Sequence, residues 1–215
     1  MLIDKYKLIV FDLDGTLVHT TAEYRYFIVP YVLGKIGVSK KPSLKLIDKF
    51  WFDGNRENTI IKSFKCDKDL FWKIFHKEDN AIQRAKYTHA YDDVKESVKK
   101  LKNLNKLLAI TTGAPKWIAK IETNLIPKND FSKIISITST RYKAKPHPES
   151  LIGCLKYCKI NAPDAVYTGN SGEDGMYASA ARVDFIFLER REHSFSGKSI
   201  TTINTLKELF INENQ

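Results

Sequence analysis

Long apolar runs are missing from this 215-residue chain. No stretch approaches the roughly 20 apolar residues that span a bilayer, so no membrane segment is expected. The first residues, Met1 to Lys5, lead straight into a short apolar segment without the apolar region and cleavage site of a signal peptide, and a cytoplasmic protein is expected. Cysteine is scarce: Cys66, Cys154 and Cys158 are an odd number. With no neighbouring histidines and no second cysteine pair, they do not compose a zinc site. Cys154 and Cys158 lie four apart in a helical-looking segment and are expected to be reduced core thiols. Internal repeats, low-complexity tracts and arginine-rich blocks are also lacking. Hydrophobic residues at 43% and charged ones at 28% describe an ordinary globular composition. Lys and Arg outnumber Asp and Glu by 35 to 25, a net charge of +10. Because the lysines are scattered, the excess reads as a solvated surface that attracts small anions, and no nucleic-acid partner is expected.

What is present alternates. Helical and strand-like patterns follow one another from Asp92 to Leu188. The helices are Asp92 to Asn103, Pro115 to Asn124, Glu149 to Cys158 and Met176 to Ala181. The strands are Leu107 to Thr111, Ile134 to Thr138, Ala165 to Thr168 and Phe185 to Leu188. Such alternation predicts parallel strands joined by right-handed crossovers. Leu8 to Phe11 belongs to the same sheet, yet about 70 residues separate it from the next βα unit, too many for a loop. The expected organisation is an α/β core, 1–19 with 88–215, interrupted by a helical insert, 20–87. The insert is rich in aromatics, among them Tyr24, Phe50, Phe64, Phe71, Trp72 and Phe75, whose helical spacings predict a core of its own.

Chemistry collects where the strands end, the place at which ligands bind parallel sheets. After Leu8 to Phe11 come Asp12, Asp14, Gly15 and Thr16. In an extended strand, side chains two apart share a side, so both carboxylates are expected to face one volume and to need a cation there. The second strand ends in Thr111, Thr112 and Gly113. Lys145 follows the third, and Asn170, Ser171, Glu173 and Asp174 follow the fourth. A carboxylate can attack phosphorus, a second can protonate the leaving oxygen, and hydroxyls, backbone N–H groups and a lysine can bind the remaining oxygens. Mg²⁺ takes hard oxygen ligands and keeps several waters, so a few carboxylates suffice to hold it.

The segments D-L-D-G-T, T-T-G, K-P-x-P-E and G-N-S-x-x-D resemble, in that order, the four motifs of the haloacid dehalogenase superfamily. The resemblance implies a Rossmann-like parallel sheet flanked by helices, with the insert as an α-helical cap that closes over the site. It implies Asp12 as nucleophile and Asp14 as general acid/base. Phosphate binding would fall to Thr111, Thr112, Gly113 and Lys145. Mg²⁺ would be held by Asp12, the backbone carbonyl of Asp14, Asn170 and Asp174, with Glu173 an alternative ligand.

Three positions qualify that expectation. Family dehalogenases lack an acid where Asp14 stands, so its presence argues for phosphoryl transfer. The family usually has aspartate where this chain has Asn170, and one negative charge is lost. Lys143 is a nearby rival to Lys145. In the insert, Trp51 to Asn58 contains Arg56, a candidate clamp for a substrate carboxylate or phosphate that resembles part of the cap of sugar phosphomutases; a surface arginine at a helix start is the alternative. His19, His147 and His193 follow no metal-ligand spacing, and Arg190-Arg191 reads as a solvated loop pair. The expected activity is hydrolysis of a small phosphorylated metabolite by a monomer or homodimer. A sugar phosphomutase and a catalytically weakened phosphate-binding protein are the alternatives.

Overall fold

The computed structural model describes residues 1–52, 55–190 and 198–211. Asp53, Gly54, Arg191 and His193, which figured in the sequence readings, lie outside them. The chain divides into two compact units. One comprises Met1–His19 and His89–Gln215, the other Thr20–Thr88.

The strand β1 (Leu8–Phe11) is buried at all four positions. Next come β2 (Val18–Thr20) and the helices α1 (Ala22–Lys35), α2 (Leu44–Phe52), α3 (Arg56–Thr59), α4 (Lys68–Glu78) and α5 (Ala81–Tyr87). A π-helical turn, Ile60–Phe64, lies between α3 and α4. The second unit has its own core, in which Tyr24, Phe50, Phe64, Phe71 and Phe75 are buried. Its ends are tied by a buried cluster: Arg84 donates from Nε and Nη2 to the two oxygens of Asp79 at 3.1 and 3.2 Å, and the Tyr24 hydroxyl donates to Asp79.

The return to the first unit runs through β3 (Thr88–Ala90), which pairs with β2 in a two-stranded sheet. The remaining elements are α6 (Val94–Asn103), β4 (Leu107–Thr112), α7 (Lys116–Thr123), β5 (Lys133–Ser136), α8 (Glu149–Cys158), β6 (Ala165–Gly169), α9 (Gly172–Ala180), β7 (Asp184–Leu188) and β8 (Thr201–Ile203). Six strands form one sheet in the order β5-β4-β1-β6-β7-β8, with every neighbouring pair parallel. This is the α/β architecture expected.

Alternation along each strand divides the core between two faces. Ile9 and Phe11 join Val94, Val98 and Leu101 of α6 on one face. Leu8 and Val10 meet Leu151, Cys154 and Leu155 of α8 and Tyr177 and Ala178 of α9 on the other. Cys66, Cys154 and Cys158 are all free thiols.

Four details differ from the sequence reading. The third βα strand stops at Ser136, because Ile137–Ser139 turns into a 3-10 helix. The helix expected from Met176 begins at Gly172, because Ser171 and Asp174 form a reciprocal capping box. β8 is an additional strand, too short and polar to stand out. β2 and β3 are also additional, three residues each.

Candidate active site

The loop after β1 is a tight turn closed on itself. Gly15 has φ +79°, a left-handed conformation that glycine adopts without penalty. Its N–H donates to the Val18 carbonyl at 2.6 Å, and the N–H groups of Leu17 and Val18 donate to the Leu13 carbonyl at 2.9 and 3.1 Å. Asp12 continues the alternation of Leu8 and Val10, and its N–H donates to the Thr168 carbonyl of β6 at 2.9 Å. Asp12 is buried, whereas Asp14 is exposed.

Lys145 is enclosed, its side chain only 5% exposed. Its ammonium group donates to Asp12 Oδ1 at 2.7 Å, Asp174 Oδ1 at 2.9 Å and the Tyr167 hydroxyl at 2.7 Å. Burial alone would depress this ammonium, but the charges of Asp12 and Asp174 outweigh it and hold the pKa well above the usual lysine value. Burial pushes the Asp12 carboxyl above the ordinary carboxylate range; Lys145 opposes the shift and Asp174 adds to it. The like charge that adds to the shift is Asp174, from the first turn of α9. Lys143 is exposed, and its backbone N–H donates to Glu149 at 3.1 Å.

Asp174 has both oxygens engaged. Oδ1 accepts from Lys145 and, at 3.2 Å, from Tyr167; Oδ2 accepts from the Ser171 hydroxyl at 2.7 Å and the Ser171 N–H at 3.2 Å. There it anchors Lys145 and caps α9. Gly169 makes room for it: a Cβ there would lie 2.6 Å from Asp174 Cγ. Glu173 is exposed in the first turn of α9.

The Thr111 hydroxyl is buried beside the Tyr177 hydroxyl and makes no well-formed hydrogen bond among the described residues, so a ligand could still engage it. Thr112 Oγ1 instead accepts the Ala114 N–H at 3.1 Å, which shapes the turn around the exposed Gly113. Asn170 is buried, and its Oδ1 accepts a long 3.4 Å bond from the Thr16 hydroxyl. Arg56 belongs to the second unit, where Nη2 donates to the Trp51 carbonyl at 2.8 Å and helps join α2 to α3.

The sequence reading missed Tyr167 and Tyr177. Tyr167 reads as an ordinary strand aromatic, yet its hydroxyl reaches Lys145, Asp174 and, at 3.3 Å, the Thr111 carbonyl. Lys145 also lies 5.2 Å from the ring centres of both tyrosines. Arg190 corrects another expectation: it is a buried partner of Asp93, with both side chains 8% exposed, and not a solvated loop residue.

A buried carboxylate, a buried ammonium, a buried threonine hydroxyl and a capped helix start thus meet at the carboxyl ends of β1, β4 and β6. The family model for haloacid dehalogenase-like hydrolases matches residues 9–188, a span that takes in all of these strand ends. The chain belongs to that family. It is a hydrolase, of the phosphatase type. A phosphoglycolate phosphatase of Colwellia psychrerythraea is 29% identical over 209 residues, covering 87% of this chain and 86% of the relative. A pyrophosphatase PpaX of Bacillus cereus is 22% identical, over 77% of this chain and 75% of its own. Among solved structures, a HAD-superfamily hydrolase of subfamily IA from Geobacter sulfurreducens superposes with a TM-score of 0.74 at 18% identity, covering 95% of each chain. CbbY from Rhodobacter sphaeroides, solved with phosphate, gives 0.72 at 14%, over 95% of this chain and 96% of that one.

Proposed function

We propose that this hydrolase cleaves a small phosphate monoester through an aspartyl-phosphate on Asp12, with Mg²⁺ as cofactor, in the cytoplasm. The observation that carries the reading is the enclosed Lys145 at 2.7 Å from Asp12 Oδ1. An ammonium there opposes the protonation that burial favours and offers its charge to the oxygens of an incoming phosphoryl group.

The donor set suits the ion. Among the described residues no three His, Cys, Asp or Glu side chains are placed to hold a metal. The Asp12 carboxylate, the Asn170 amide oxygen and the Asp14 carbonyl are nonetheless hard oxygens, and Mg²⁺ needs few of them because it keeps its waters. Asp174, with both oxygens engaged, would act on the ion through Lys145 and the shape of the β6–α9 turn. When bound, Mg²⁺ would neutralise phosphoryl charge that Lys145 alone leaves uncompensated.

The residues of the chain supply the remaining chemistry. Asp12 attacks phosphorus and forms the P–O bond as the ester P–O bond breaks. Asp14, exposed and two residues on, gives its proton to the departing alkoxide. In the second half Asp14 takes a proton from water, whose oxygen attacks the phosphorus and releases Asp12 and inorganic phosphate. Thr111 and the turn through Gly113 bind the non-bridging oxygens. The names of the relatives favour a compact, highly charged substrate such as a phosphorylated short acid or pyrophosphate, and the +10 net charge suits either.

Phosphate release from an aryl phosphate and a panel of small phosphate esters, with Mg²⁺, tests the proposal. The wild type should turn over, and Asp12→Asn should be inactive while folded. A folded wild type that releases phosphate from no member of the panel would sink it.

A further inference from the structure

We infer that Arg190 is a positioning residue that holds the loop bearing Asp12 and Asp14 in register for proton transfer to the leaving group; the inference rests on the phosphatase reading above. Arg190 follows β7, on the far side of β6 from β1, and no motif points to it. Its guanidinium is bidentate on Asp93, with Nη1 at 3.1 Å from Oδ2 and Nη2 at 2.9 Å from Oδ1. That pair alone would be complete. Nη2 makes a third bond, at 3.1 Å, to the backbone carbonyl of Thr16, within the D-L-D-G-T turn.

The surroundings fix the guanidinium plane. Its carbon lies 3.9 Å from the centre of the Tyr91 ring, and the Tyr91 N–H donates to the Leu17 carbonyl at 3.1 Å. Arg190 and Tyr91 therefore hold two successive carbonyls of the acid-bearing turn. Asp93 is fixed in its turn by the Thr205 hydroxyl and the Leu206 N–H, each at 2.8 Å. Most other bonds of the turn are internal, as described above, and can preserve its shape without fixing its direction. The Thr16 hydroxyl has its 3.4 Å bond to Asn170, so the side chain of the same residue also meets the proposed ion ligand. Only a planar, forked donor can serve Asp93 and Thr16 together while stacked on a ring; a lysine could satisfy the charge but not this geometry.

Leaving-group dependence distinguishes positioning from plain structural support. A nitrophenolate departs without a proton, whereas an alkoxide requires the acid. In the first half-reaction, which kcat/KM reports, misplacing Asp14 therefore penalises only the alkyl ester; breakdown of the aspartyl-phosphate, where Asp14 acts as base, is common to both esters. The experiment compares wild type and Arg190→Lys on p-nitrophenyl phosphate and on a phosphorylated aliphatic alcohol, with thermal unfolding recorded alongside. The kcat/KM of Arg190→Lys should fall by about tenfold or more on the alkyl ester, part of the roughly 10²–10⁴ that general acid catalysis supplies, and by less than about threefold on the aryl ester. Arg190→Met combined with Asp93→Asn removes the ion pair without stranding a charge and should show the same split if the lysine variant does not fold. Equal losses on both esters, or no loss, would overturn the inference while leaving the phosphatase reading intact. A wild type inactive on both would remove that reading and the inference with it.

Discussion

Lys145 Nζ stands 2.7 Å from Asp12 Oδ1, and both side chains are almost fully enclosed. The chain separates them by 133 residues, so the contact exists only in the folded sheet. Removing the cation strands a buried carboxylate. Lys145→Met should lose about 3 kcal/mol or more of stability, as breaking a buried pair does. Its kcat should fall by about 10²-fold or more, the scale of losing one preorganised electrostatic partner. Denaturant unfolding and steady-state turnover check the two effects separately.

Tyr167→Phe deletes one hydroxyl and leaves the ring in place. The hydroxyl accepts from Lys145 and lies within bonding distance of Asp174 and the Thr111 carbonyl. The buried groups left short of a partner should cost about 1–3 kcal/mol. A loosened Lys145 should lower kcat by about tenfold, or 1.4 kcal/mol of barrier. Unchanged kcat in a folded variant would reduce Tyr167 to a packing residue.

Asn170→Asp should tighten dependence on Mg²⁺. The added carboxylate stands in a site already holding Asp12 and Asp174, so the metal-free protein should melt lower and gain more from the ion than wild type does. The Mg²⁺ concentration for half-maximal rate should drop by about tenfold, which corresponds to 1.4 kcal/mol of binding. Melting curves with and without Mg²⁺ provide a reading independent of turnover. The same response in both proteins would mean that position 170 does not face the ion.

Asp93 sets a pH dependence of stability. Burial alone would raise its carboxyl, but Arg190, the Leu206 N–H and the Thr205 hydroxyl hold it below the usual value. A depressed folded pKa adds stability above the unfolded value of about 3.9 and loses it as pH falls through the folded one. Asp93→Asn should therefore melt well below wild type at neutral pH, by an amount corresponding to about 3 kcal/mol. The gap should narrow below about pH 4 as the wild-type carboxyl is protonated. A constant gap from neutral to acid pH would contradict the assignment.

Much of the core was legible because its signals are local. A buried run such as Leu8–Phe11 declares a central strand, and glycine after two spaced acids declares the turn that follows. The weak elements were not legible. β8 has one buried residue, and β2 and β3 have three residues each. Such strands exist because a neighbouring strand offers its edge, which no window of their own residues records. The helix start at Gly172 was misplaced because the Ser171–Asp174 cap outweighs the glycines that argue for a loop.

The candidate site divides in the same way. The order of strands and helices, the aromatic core of the insert and the identity of the acids, threonines and lysine at strand ends were determined by the sequence itself, through periodicity and motif. Tertiary structure decided which charges act on one another. It placed Asp174 against Lys145 and gave that lysine a tyrosine partner. It buried Arg190 against Asp93 and turned an Nη2 N–H towards the Thr16 carbonyl. Those contacts join residues as far as 174 positions apart. Strand order and register bring them together, and burial then makes each pairing count, because charges removed from water interact strongly with whatever the fold sets beside them.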